Sequence, residues 1–213
     1  MALSRRSFLL AAAAAGLPSV ARAHDEHKHN DHSAHAPMSG EAKADKVGAI
    51  KVDVGDTPLL DQDGRTVRVR SDVLAGRVVV VDFIYTTCTT ICPIFSATMA
   101  ELRKRLVAAP ARDIVLVTVT VDPLRDTPRR LKDYAARFGP LGDGWIWLTG
   151  SKSNVDIVNK AFGAYTANID DHPPMVIVGD ADAGVWTRFY GFPGVPELEA
   201  RARELVAARL RPA

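Results

Sequence analysis

With 213 residues the chain is long enough for one sizeable core with extensions, and 47% apolar and 24% charged residues is the balance of a soluble globular protein. A net charge of +2 argues against general affinity for nucleic acid or a lipid surface. The only cysteines, Cys88 and Cys92, lie four apart, which excludes a disulfide framework and leaves a local pair.

Residues 1–23 read as a signal peptide. Arg5 and Arg6 precede an apolar stretch from Phe8 to Leu17, and Ala21, Arg22 and Ala23 offer a small-x-small cleavage site. The paired arginines are twin-arginine-like, so a periplasmic location is expected. The apolar run falls well short of the roughly 20 residues that span a bilayer, and no cysteine follows the cleavage site, so no membrane anchor is expected. An uncleaved amphipathic N-terminus is the alternative.

Residues 24–48 read as a disordered His-rich linker. His24, His27, His29, His32 and His35 crowd into twelve residues among Asp25, Glu26, Lys28 and Asp31, with Ala34 the single apolar residue. Such imidazole density suits Cu(II), Zn or Ni. Metal capture and a solubilising linker both fit.

From residue 49 to 213 the pattern is that of a folded domain. Leu59 to Val69 forms two short strands around a turn at Asp63 and Gly64, and Ser71 to Gly76 a turn or helical link. Val78 to Tyr85 is an apolar strand broken only by Asp82, as expected of a strand covered on both faces. A helix follows from Pro93 to Ala108, with Ile94, Phe95, Met99, Leu102 and Leu106 at helical spacing. Ile114 to Val121 is a second buried strand, and Thr127 caps a helix with Pro128 at its first position. Trp145 to Leu148 is a strand and Ser153 to Phe162 a helix. Met175 to Gly179 and Val185 to Tyr190 form a hairpin around Asp180 to Gly184, and Val195 to Leu210 is a closing helix. This order describes an α/β protein of thioredoxin type, a central mixed sheet flanked by helices with an N-terminal hairpin extension.

The chemistry is expected in the strand-to-helix turn of Cys88 and Cys92. A helix N-terminus favours thiolate over thiol. On a regular helix, positions four apart hold Cβ atoms about 5 to 6 Å apart, too far for a disulfide, which wants roughly 3.5 to 4.5 Å. With Cys88 in the loop and Cys92 at the helix start, both a reversible disulfide and a pair of convergent thiolates become accessible, the latter suited to Cu(I). A structural pair is the alternative. His172 precedes a strand in a loop stiffened by Pro173 and Pro174; such a lone histidine is commonly just solvent-exposed, yet a thioredoxin-type sheet brings its loop beside the cysteine turn. Asp82 is either a buried proton relay for a resolving thiol or a half-exposed strand residue paired with a base. Asp122 and Asp126 are accounted for by turn formation and helix capping, Met175 by the core, and Trp145, Trp147 and Trp186 by packing.

Taken together, CTTICP after a strand ending FIYTT, then VTVDPLRDTP, WLTG, and Asp171-His172 before a strand and a GDADAG turn resemble the Sco/SenC family, in the family's order. The resemblance covers about Gly55 to the C-terminus. It implies a thioredoxin fold in which Cys88, Cys92 and His172 bind one copper ion. It further implies a metallochaperone role in assembling the binuclear copper centre of cytochrome c oxidase, as copper donor, as thiol-disulfide reductant of the acceptor's cysteines, or both. The implied partners are the oxidase copper subunit or another periplasmic copper enzyme, and a copper donor chaperone. A periplasmic copper buffer or resistance protein, resting on the histidine tail, is the third reading. Where the family usually carries a serine after the histidine this chain has Pro173, and a twin-arginine-like signal stands in place of the family's membrane helix.

Overall fold

A computed structural model describes residues 47–108, 113–140 and 144–211. The expected signal segment 1–23, the five tail histidines from His24 to His35, and the rest of the expected linker up to residue 46 lie outside the described residues. Strands β1 (Val47–Ile50), β2 (Pro58–Leu60), β3 (Thr66–Arg68) and β4 (Val78–Ile84) lead into helix α1 (Ile91–Ala108). Then come β5 (Ile114–Thr120), α2 (Pro128–Ala135), β6 (Trp145–Leu148), α3 (Lys152–Phe162), β7 (Met175–Asp180), β8 (Val185–Tyr190) and α4 (Val195–Arg209).

The main sheet runs β1-β8-β7-β4-β5-β6. β4, β5 and β6 are parallel, joined by helical crossovers, while β7 lies antiparallel to β4 and carries the β7–β8 hairpin. This is the mixed sheet flanked by helices that the element order implied. β4 and β5 are buried at every position because both sheet faces are covered. On one face Val78, Val80 and Ile84 pack with Phe95, Met99 and Leu102 of α1, Leu131 and Tyr134 of α2, and Leu198, Ala202 and Leu205 of α4. On the other, Val79, Val81 and Phe83 pack with Val155, Val158 and Phe162 of α3, Leu59 of the hairpin, and Val69, Val73 and Leu74 of a helical turn. Gly179 lets the Trp186 indole lie flat on the sheet: a Cβ there would sit 2.0 Å from the ring.

Several boundaries differ from the sequence reading, for local reasons. β1 begins at Val47, inside the stretch expected as linker, because its backbone pairs with β8 from Val47↔Phe189 to Ile50↔Trp186; a short edge strand without apolar alternation leaves no periodic signal. The β2–β3 loop is longer than a two-residue turn, since Asp61 accepts hydrogen bonds from the backbone N–H groups of Asp63 and Arg65 and from the Arg65 side chain. The expected link after β3 is a helical turn over Val69–Leu74. α1 starts at Ile91, two residues before Pro93, whose missing N–H is among the amides a first turn leaves unpaired in any case. α3 starts one residue earlier than expected, with Ser151 as its cap. Thr127 caps α2 as expected, accepting from the Arg130 N–H at 3.3 Å.

Candidate metal and thiol site

The site forms where β4 ends. Cys88 lies in the β4–α1 loop and Cys92 in the first turn of α1; both are buried free thiols. The Cys92 N–H donates to Cys88 Sγ at 3.4 Å, so a helix N-terminal amide points at the first sulfur. Burial pushes the Cys88 thiol up, but hydrogen bonds from Cys92 and Thr90 outweigh it and bring the group down to about 7. Cys92 moves the opposite way: burial, its bond to Cys88, and the charges of Cys88 and Asp82 drive it far above the ordinary thiol range. Two buried thiols of opposite tendency therefore stand side by side, Cys88 shifted toward ionisation and Cys92 away from it.

Asp82 lies in β4 behind them and is fully buried. Its Oδ1 accepts from the Thr118 hydroxyl, itself hydrogen-bonded by Trp145 Nε1 at 2.9 Å, while its Oδ2 has no protein partner. Burial raises the carboxyl to about 7 against the Thr118 bond. Of the two sequence readings of Asp82, the half-exposed residue paired with a base is therefore corrected: no base adjoins it, since its neighbours on β5 and β7 are Thr118 and Val176.

His172 is 4% exposed rather than a solvent-facing loop histidine. It follows a short helical turn, Ile169–Asp171. Because β7 runs antiparallel to β4 with Asp82 opposite Val176, extending that register past the strand ends brings His172 level with Thr86. Its Nδ1 lies 3.0 Å from the Ile169 carbonyl. A carbonyl only accepts, so Nδ1 is the donor in this bond, which leaves Nε2 as the ring nitrogen that would serve as a metal ligand. The Tyr85 ring packs edge-on against the imidazole, 5.8 Å between centroids. Among the described residues no three Cys, His, Asp or Glu side chains converge closely enough to close around an ion. The two cysteines are adjacent, and His172 packs against Tyr85, three residues before Cys88. The donor chemistry, two sulfurs and one imidazole nitrogen, fits a soft to intermediate ion such as copper.

Sequence reasoning missed two residues here. Asp126 does not cap a helix, since Thr127 does that; it is 1% exposed and accepts from the Thr86 N–H, the Thr86 hydroxyl and the Thr120 hydroxyl. It clamps the cysteine loop to the end of β5. Tyr85, taken as the last strand residue, sends its hydroxyl to Asp170 at 2.8 Å. An aspartate beside Thr-Pro looks like a turn residue whether or not it is buried, so neither role leaves a local signal. Asp122 is a turn residue as expected, paired with Arg125 at 2.9 Å, and Met175 and the three tryptophans lie in the core. A cleft of about 260 Å³ lined by Asp122, Arg125, Lys152, Asn159 and Tyr165 opens beside the histidine turn rather than at the cysteines.

A thioredoxin-like mixed sheet with two adjacent buried cysteines and a buried histidine at one end has the donor types of a metal-binding protein. The SCO1/SenC family matches residues 53–205, and the chain belongs to that family. It is 41% identical over 97 residues to the SCO1 protein homolog of Bacillus subtilis, a match covering 45% of this chain and 49% of that protein, so the alignment spans about half the relative's length. It superimposes on BsSco, described as a member of the Sco family of cytochrome c oxidase assembly proteins with a disulfide switch, at a TM-score of 0.63 and 31% identity, over 77% of this chain and 98% of that one. Bradyrhizobium japonicum ScoI, solved with copper bound, aligns at a TM-score of 0.55 and 27% identity, over 72% and 97%.

Proposed function

We propose that the chain is a periplasmic copper metallochaperone that holds copper as cargo on Cys88, Cys92 and His172 and passes it to a cuproprotein such as the binuclear copper centre of cytochrome c oxidase. The carrying observation is two adjacent cysteines at a helix start together with, on the turn bonded to that loop, a buried histidine whose Nδ1 lies 3.0 Å from the Ile169 carbonyl. Family membership and the copper-bound ScoI relative support the same reading. In the proposed organisation residues 1–23 direct export, the linker that follows carries His24, His27, His29, His32 and His35 and raises the local copper concentration, and the working domain begins with β1 at Val47. Among the described residues no helix is long and apolar enough to cross a membrane.

The asymmetry of the two thiols favours a second activity on the same pair. Cys88, with its lowered pKa, attacks an acceptor disulfide; Cys92 then displaces the acceptor sulfur from the mixed disulfide. The acceptor is reduced to two thiols, the pair is oxidised to a disulfide, and the Cys92 proton leaves for a base, the role this reading assigns to Asp82 in its ionised form. Copper titration of the mature protein and of Cys88→Ser, Cys92→Ser and His172→Ala tests the first activity: all three variants should bind more weakly, and parent-like binding by Cys88→Ser and His172→Ala would refute the site. Reduction of an oxidised acceptor peptide tests the second, and should survive His172→Ala but not Cys88→Ser. Deleting residues 24–35 should lower the efficiency of delivery, whereas a copper buffer resting on the tail would lose its protection altogether.

A further inference from the structure

Tyr85 is the residue that joins the two halves of the site. Its backbone carbonyl accepts the Cys88 N–H at 3.1 Å, its hydroxyl donates to Asp170 Oδ1 at 2.8 Å and also interacts with the Cys88 side chain, and its ring packs edge-to-face with the His172 imidazole. Asp170 sits within the turn Ile169–Asp171, whose first carbonyl fixes the His172 tautomer. The turn's other hydrogen bonds among the described residues are local: Asn168 caps Asp170 N at 3.3 Å, its side-chain amide reaches Asp171 at 3.2 Å, and the Asp171 and His172 N–H groups return to Asn168 and Ile169. Pro173 and Pro174, which follow, have no N–H to donate. One side-chain bond, spanning 85 positions of sequence, therefore fastens the histidine turn to the cysteine loop.

We infer that Tyr85 is a positioning residue: its hydrogen bond to Asp170 straps the histidine turn to the cysteine loop and thereby sets how firmly His172 is presented to copper held by the two sulfurs. The inference rests on the proposed copper site and adds which oxidation state of the cargo responds to the strap. Two thiolates satisfy Cu(I) by themselves, whereas Cu(II) draws on the harder imidazole donor. A strap that acts on the imidazole alone weighs on Cu(II) and leaves Cu(I) nearly untouched, so it shifts the copper potential of the site.

The test uses the full mature protein with Tyr85→Phe, Asp170→Ala, the double variant and Asp170→Asn. Tyr85→Phe keeps the ring against His172 and removes only the hydroxyl. Cu(II) is followed by its thiolate charge-transfer absorption, which the cysteine-free histidine tail does not produce, and Cu(I) by anaerobic competition with a chromophoric chelator. Losing one hydrogen bond should weaken Cu(II) binding about three- to tenfold in either single variant, with no further loss in the double variant because the two partners form one bond. Asp170→Asn, which keeps an acceptor, should stay near the parent, and Cu(I) affinity should change less than about twofold in Asp170→Ala, which leaves the interaction of the Tyr85 hydroxyl with Cys88 in place. Equal losses for both oxidation states in Asp170→Ala, or additive Cu(II) losses in the double variant, would overturn the strap. Parent-like Cu(II) binding by Tyr85→Phe and Asp170→Ala while His172→Ala weakens it would also overturn the strap but leave the copper site standing. Parent-like behaviour of His172→Ala and Cys88→Ser would remove the copper site itself.

Discussion

Replacing Asp82 by asparagine should reverse its effect on stability between acid and alkaline pH. The carboxyl is held at about 7 in the fold against 3.8 in the unfolded chain because burial penalises its charge. Below about pH 4 both states are protonated and the site is neutral in either. As pH rises from there toward 7 the unfolded chain releases its proton while the fold retains it, so the unfolded state binds fewer protons and stability falls. Above 7 the fold carries a buried carboxylate with one unpartnered oxygen, and about 4 kcal/mol has been lost. Asparagine cannot ionise, so this loss vanishes; its carbonyl still accepts from Thr118, but its N–H group lies where Oδ2 has no partner, costing about 1 to 3 kcal/mol at every pH. The variant should be less stable than the parent at pH 4 and more stable at pH 8. Urea unfolding of the reduced, metal-free proteins at the two pH values measures this directly. A stability difference that is the same at both would mean that Asp82 is not held neutral by burial.

The lowered Cys88 pKa makes it the thiol that iodoacetamide should take first in reduced, metal-free protein, with a pH midpoint near 7; mass spectrometry finding Cys92 labelled as fast would contradict the asymmetry. Asp126→Ala strips the partners from the Thr86 N–H and from the Thr86 and Thr120 hydroxyls, and should cost about 2 to 4 kcal/mol by urea unfolding. Gly179→Ala drives a Cβ into Trp186 and should lower Tm by roughly 5 to 10 °C, for a cost of about 2 to 3 kcal/mol.

Much of the architecture was legible because it rests on local signals. A run of Val broken only by Asp82, an amphipathic helix behind Pro93, and a Thr-Pro helix start each bring their element into being within a few residues of chain. The cysteine turn was equally local: two sulfurs four apart across a loop-to-helix boundary meet wherever that boundary folds. β1 was missed because an edge strand takes its hydrogen bonds from β8, about 140 residues on, and needs no apolar alternation of its own. Asp126 was misread for a related reason, since a carboxylate that clamps Thr86 from 40 positions away has the same local sequence as one that ends a turn.

The sequence by itself determined that this is an α/β domain of the Sco/SenC pattern with Cys88 and Cys92 at a strand-to-helix turn, because helix starts, strand runs and the Cys spacing are properties of contiguous residues. Only the tertiary structure decided the burial of Asp82, the opposed pKa shifts of the two thiols and the station of His172. Those depend on desolvation by α1, α2 and the neighbouring strands, and on the antiparallel register of β4 with β7, which carries a histidine from far along the chain to the level of Thr86 and against the Tyr85 ring.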